Sequence, residues 1–206
     1  MSSHSLEISK LEQRLYANSG EVVLLTGAVG SGKSLWLQRM AGLVEPPATM
    51  KITINGVACS TSSHPPTIRM LFDRWPPVWL GQYVGEELAF GLSSRPSITS
   101  LTNVLEKWGI AKLALDADLQ TINRMQAIRL SLAAMDLATP ALVLLDNPSA
   151  SLPQDDASAL CDDIADWAEQ SDSIVVVACN RWHDWQHRAK HIWHSNTPDE
   201  LPRSGG

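Results

Sequence analysis

The sequence predicts an α/β fold with a mainly parallel sheet, a small antiparallel β part and an inserted helical subdomain, for three reasons. Short apolar runs alternate with helical patterns, the order that builds a parallel sheet. The first of the fully apolar runs ends in a glycine-rich loop, "GAVGSGKS", that opens a helix. The alternation then breaks between about residues 75 and 138, where helical segments follow one another without strands between them.

In chain order, "EVVLLTG" at 21–27 reads as a buried strand closed by glycine, and "SLWLQRMAGL" as the helix after it. "MKITINGVA" alternates Ile52 and Ile54 with polar residues and turns at Asn55-Gly56, a hairpin signal and the source of the antiparallel part. "TIRMLF" at 67–72 is a further strand. "DRWPPVWLGQ" at 73–82 holds adjacent prolines and is no regular helix. "SLTNVLEKWG" sets Leu101, Val104, Leu105 and Trp108 on one helical face, with Gly109 as the stop. Another helix starts near Asn123 and runs to about Ala138. Strand "ALVLLD", helix "DDASALCDDIADWAEQ", strand "SIVVVAC", a Trp/His-rich helix and strand "HIWHS" complete the order. The tail, residues 196–206, reads as loose.

A chain of 206 residues suits a single domain, 1–206, carrying the helical subdomain within it. Apolar residues make up 44%, enough for a sizeable core. The net charge of −6 and the lack of Lys/Arg runs argue against nucleic acid as a partner. Cys59, Cys161 and Cys179 lack metal-ligand spacing and fit a reducing compartment. "MSSHSLEISK" is too polar for a signal peptide, and no stretch approaches the ~20 apolar residues that span a bilayer. A cytoplasmic protein is therefore expected.

"GAVGSGKS" fits the pattern of Gly, four residues, then Gly-Lys-Ser. Gly27, Gly30 and Gly32 let the backbone curl, so that amides of Gly27, Ala28, Val29, Gly30, Ser31 and Gly32 point at phosphate oxygens. The positive end of the next helix aims at the same place. Lys33 would reach the β- and γ-phosphates and Ser34 would offer its hydroxyl to Mg²⁺. Asp146, at the C-terminal end of its strand, is the second metal-side oxygen, with a strand-end cap as the plainer alternative. The expected cofactors are ATP and Mg²⁺. Asn147 follows, an amide that cannot take a proton from water.

These residues, in this order, resemble an ATP-binding cassette (ABC) ATPase, a P-loop NTPase, over roughly residues 6–195. The matching segments are 27–34, "ITINGV", "VLLDNP", "SASLP" and "VVVACN". "YVGEELAFGL" at 83–92 is similar to the cassettes serving cobalt and vitamin uptake, the energy-coupling-factor type. The resemblance implies a glutamate where Asn147 stands, a histidine where Asn180 stands and a glutamine where Asp73 stands. Its Leu-Ser-Gly-Gly-Gln signature falls on "INRMQ", where Arg124 and Met125 replace the glycines. The loop after Asp146 ends in Pro153 where the family has Asp. The hairpin that carries the adenine-stacking aromatic reads as absent, with Tyr16 as a possible substitute. Asp73 is either a third Mg²⁺-side oxygen that orients water or a solvent-facing loop cap. His183 reads as a solvated residue, with the switch role of Asn180's position as its alternative.

Eight tryptophans are present. Trp36 and Trp167 read as core. Trp75 and Trp79, beside Pro76 and Pro77, either anchor a partner or pack within the subdomain. Trp182, Trp185 and Trp193 cluster with His183, His187, His191 and His194 at spacings too irregular for a metal tract. The reading that follows is a degenerate cassette with no intact catalytic residue: a pseudo-ATPase that binds MgATP and hydrolyses it poorly or not at all. It would sit peripherally on the cytoplasmic membrane face through a transmembrane partner, beside a second cassette in a hetero- or homodimer. Its rivals are a slow true ATPase using Asp73 or His183, and a soluble cassette protein outside transport. The lack of basic surface and of zinc cysteines counts against the last.

Overall fold

A computed structural model of the chain describes residues 3–62 and 68–205. Thr67, expected at the head of a strand, and Gly206 of the tail fall outside them. The chain divides into two compact units, Met1–Phe72 with Pro140–Gly206, and Asp73–Thr139.

In the first unit, β1 (Ser5–Lys10) and β2 (Gln13–Asn18) pair antiparallel, with Lys10 opposite Gln13. Leu11 and Glu12 make the turn, Leu11 at φ 54. The N-terminal hairpin is thus present, correcting the sequence expectation. No Gly or Asn announces the turn, so its residues give no signal. β1 also pairs with β4 (Met50–Ile54), and β4 with β5 (Val57–Ala58). Asn55 and Gly56 between them lie at φ 53 and 78, the mirror-image turn their dipeptide predicts.

The second sheet holds β3 (Val22–Thr26), β6 (Ile68–Leu71), β7 (Leu142–Asp146), β8 (Ile174–Ala178), β9 (His191–His194) and β10 (Arg203–Gly205). Among the described residues its order is β10-β9-β3-β8-β7-β6, parallel except for β10. Every residue of β3, β7 and β8 is buried, as unbroken apolar runs require of strands covered on both faces. The loops after β3, β7 and β8 therefore leave from one edge of the sheet, where such folds gather ligands.

Helix α1 (Lys33–Met40) sends Trp36, Leu37 and Met40 into a core shared with Ile8 and Ile52 of the antiparallel sheet and Val23, Leu144 and Val176 of the parallel one. Burying such side chains contributes about 1.5–3 kcal/mol each. Trp167 is buried on α5 (Gln154–Gln170). Two expectations are corrected here. The Trp/His-rich stretch makes only a 3-10 turn, Trp182–Trp185. There the Arg188 guanidinium donates to the Asp184 carbonyl, taking up an oxygen that helix continuation needs. The tail is not loose: Leu201 and Pro202 are buried and Arg203 pairs opposite His194.

The second unit carries α2 (Val84–Ala89), α3 (Ile98–Lys107) and α4 (Arg124–Leu137). Leu101, Val104, Leu105 and Trp108 are buried together, and Gly109 ends the run at φ 68. Asp136 on α4 accepts from Trp108 Nε1 at 3.1 Å and pairs with Lys107 at 2.6 Å, tying α3 to α4.

Candidate nucleotide site

β3 delivers Gly27 to the ligand edge of the sheet. Gly27, Gly30 and Gly32 lie at φ 149, 84 and 88, conformations that glycine takes without the cost a Cβ imposes. Ala28, Val29, Gly30 and Ser34 are exposed, whereas Ser31 and Lys33 are buried. Lys33 Nζ donates to the carbonyls of Gly27 at 2.8 Å and Ala28 at 2.9 Å. Burial lowers the Lys33 pKa, while the Cys179 thiol and the Asp146 carboxylate pull it the other way. The first turn of α1 has no acidic residue, so its positive end keeps its pull on an outside anion.

A buried ammonium whose hydrogen bonds go to neutral carbonyls gains further from an anion. Ser31 Oγ is buried with no hydrogen-bond partner among the described residues. Ser34 is exposed and Asp146, 6% exposed, ends β7; their side chains offer hard oxygen donors of the kind Mg²⁺ takes while keeping several waters. The residues thus fit a polyphosphate with Mg²⁺, which when bound would neutralise and orient the terminal phosphates. Asp73 is exposed and opens the second unit. Among the described residues, no three His, Cys, Asp or Glu side chains gather as a metal site. His191 pairs instead with Glu21 at 3.0 Å.

The exits of β7 and β8 are joined side chain to backbone. Asn147 lies at φ 48, its N–H donates to Ala178 O at 2.8 Å, and its Oδ1 accepts from Asn180 N at 3.2 Å. Beyond it, Arg181 Nη1 donates to Leu152 O at 3.1 Å and reaches Ser149 O at 3.5 Å. Arg181 Nη2 also donates to Gln154 Oε1, and its Nε pairs with Asp184 at 3.0 Å. Gln154 Nε2 closes the ring onto Asp184 at 3.0 Å. Sequence reasoning missed Arg181, Gln154 and Asp184, and no local motif marks them. His183 is exposed and stacks on Trp182, ring centroids 3.7 Å apart.

In the second unit, Asn123 caps α4 and Gln126 closes the capping box at the "INRMQ" position. Arg124 lies 5.5 Å over the ring of Trp75, which is exposed, while Trp79 is half-buried. Tyr16 lies on the exposed face of β2, its hydroxyl accepting from Arg14 at 3.1 Å.

Comparison with known proteins agrees with this architecture. Residues 12–150 match the ABC transporter family. An uncharacterized ABC transporter ATP-binding protein of Mycobacterium tuberculosis is 30% identical over 174 residues, covering 77% of this chain and 68% of that protein. The cytochrome c biogenesis ATP-binding export protein CcmA of Pseudomonas syringae is 26% identical, covering 79% and 77%. An energy-coupling factor transporter ATP-binding protein of Symbiobacterium thermophilum is also 26% identical, over 77% of this chain and 58% of that protein. The names span different kinds of system, so the likeness is to the cassette and not to one transport class. A crystal structure of a nucleotide-free ATP-binding cassette from an ABC transporter superposes with a TM-score of 0.75 at 14% identity, covering 99% of this chain and 91% of that one. The family match spans most of the chain, and the fold and the phosphate loop are those of its cassettes: this chain belongs to the ABC transporter family as an ATP-binding cassette.

Proposed function

We propose that this cassette binds MgATP through residues 27–34 and Asp146, hydrolyses it poorly or not at all, and works beside a second cassette on a membrane partner. The observation that carries the reading is the pair Asn147 and Asn180. An amide at either position offers hydrogen bonds but takes no proton near neutral pH. Loss of a positioned general base commonly costs about 10²–10⁴ in rate. Asn147 also suits its backbone, since Asn tolerates a left-handed conformation that disfavours most side chains. Its carbonyl is engaged by Asn180 N. Arg124 and Met125, in place of signature glycines, support the same reading, because they crowd a backbone that has to approach phosphate closely.

No helix of the described residues is long and apolar enough to cross a membrane. Family cassettes pair with permease subunits, and the second unit exposes Trp75, Val78, Leu80 and Phe90 as apolar anchors for one. The test is turnover by the purified protein. It should release phosphate no faster than a Lys33→Ala control, and Asn147→Glu alone should not restore activity, because Asn180 and "INRMQ" remain. Turnover well above the control by the unmodified protein would refute the reading.

A further inference from the structure

The segment after β9 contacts the phosphate loop at both of its ends. Ser195, 2% exposed, continues the strand pairing by donating its N–H to Thr26 O at 2.8 Å. Its Oγ donates to Ser31 O at 2.7 Å. A Cβ on Gly27 would stand 2.2 Å from Ser195 O, and one on Gly32 would stand 2.6 Å from Pro198 Cβ. The chain thus rests on both ends of the loop. Arg39, 6% exposed on α1, donates to Pro198 O and pairs with Asp199 at 3.2 Å. Its guanidinium lies 5.3 Å over the ring of Trp36. Lys10 Nζ adds a contact to Asp199 O at 3.4 Å.

The side of these contacts matters. The segment's hydrogen bonds to β3 and its loop end on carbonyl oxygens, those of Thr26 and Ser31. Neither bond takes up a loop amide, and the Ser31 N–H donates within the loop, to Ala28 O at 3.1 Å. A loop with three glycines has much conformational freedom to lose on binding, and ordering it beforehand removes that cost. We propose that residues 195–202 form a brace that holds the phosphate loop in its anion-receiving curl before nucleotide arrives, with Ser195 and Arg39 as positioning residues. The proposal rests on the reading of residues 27–34 as a nucleotide site.

Amide hydrogen exchange on the full, nucleotide-free chain tests the brace, and titration with a fluorescent ATP analogue tests its use. Arg39→Met keeps an apolar stem against Trp36 and leaves Asp199 in solvent; Ser195→Ala removes one hydroxyl. Each should raise exchange at Gly30, Gly32 and Lys33 by about fivefold and weaken analogue binding by a similar factor. Arg39→Lys, which retains the charge, should recover part of both. If Arg39→Met fails to fold, Ser195→Ala decides the matter. Unchanged exchange, or raised exchange with unchanged affinity, overturns the proposal. A wild-type chain that binds no analogue refutes the nucleotide reading instead, and exchange alone then decides the brace.

Discussion

At the exit of β3 the chain curls through glycines, and the support comes from outside, from Ser195, Pro198 and Arg39. At the exits of β7 and β8 it is stitched from within: Asn147 to Asn180, and Arg181 to Ser149, Leu152, Gln154 and Asp184. The first arrangement leaves polar groups available to a ligand. The second engages the polar groups of two loops with each other. Under the proposed function, holding an anion and breaking it fall to different loops of one sheet edge.

The largest expected effect breaks or confirms the first side of that contrast. Lys33→Ala should weaken ATP binding by about 30-fold or more, the loss of a buried charge-assisted contact. It should lower the melting temperature only slightly, because the burial that depresses the Lys33 pKa opposes the gain from the two hydrogen bonds its ammonium makes. A melting temperature that falls with unchanged binding would reverse the assignment. Calorimetric titration and thermal unfolding of the same samples give both numbers.

Arg181→Ala probes the other side. It leaves the Asp184 carboxylate, 7% exposed, without its cation and releases two carbonyls. A cost of about 2 kcal/mol is expected, or roughly 4–8 °C in melting temperature. ATP affinity should change less than about threefold, since the hydrogen bonds of Arg181 go to Ser149, Leu152 and Gln154 and not to residues 27–34. Lost binding at unchanged stability would mean the two regions are not separate.

The smallest effect lies where the regions meet. Cys179 leaves β8 close enough to Lys33 for each to influence the other, and burial pushes its thiol up to about 12 from 9.0. Cys161 on α5 is likewise pushed up to about 12 by burial. A folded value above the unfolded one means this contribution to stability is full below pH 9 and is lost as pH rises toward 12. Melting temperature should stay level from neutral pH to about 9 and fall beyond it. At neutral pH iodoacetamide should label no thiol until denaturant is added, and native labelling of Cys179 would place that seam in contact with solvent.

Features set by neighbours in sequence were legible. The glycine pattern of residues 27–34, the Asn55-Gly56 turn, the stop at Gly109 and the cap at Asn123 each follow from a few adjacent residues, and apolar runs sufficed for β3, β7 and β8. Features set by distant contacts were not. Ser195 meets Ser31, and Arg39 meets Asp199, across most of the chain. A serine and an exposed aspartate announce nothing alone. The β1–β2 turn escaped because Leu11 and Glu12 are unusual turn formers. The expected helix around Trp182 failed because ionic contacts of Arg181 and Arg188 set that backbone, and periodicity does not report such contacts.

The position of β3 in its sheet has a consequence for synthesis. The strand that carries the phosphate loop lies between β8 and β9, with Val22 opposite Val175 and Val23 opposite His191. On the ribosome β3 emerges early and then waits for both flanking strands, on the order of 10–30 s at ordinary elongation rates. During that interval the loop has neither walls nor brace. The candidate nucleotide site can therefore assemble only once β8 and β9 have both emerged, and ATP can act as a folding ligand only from that point.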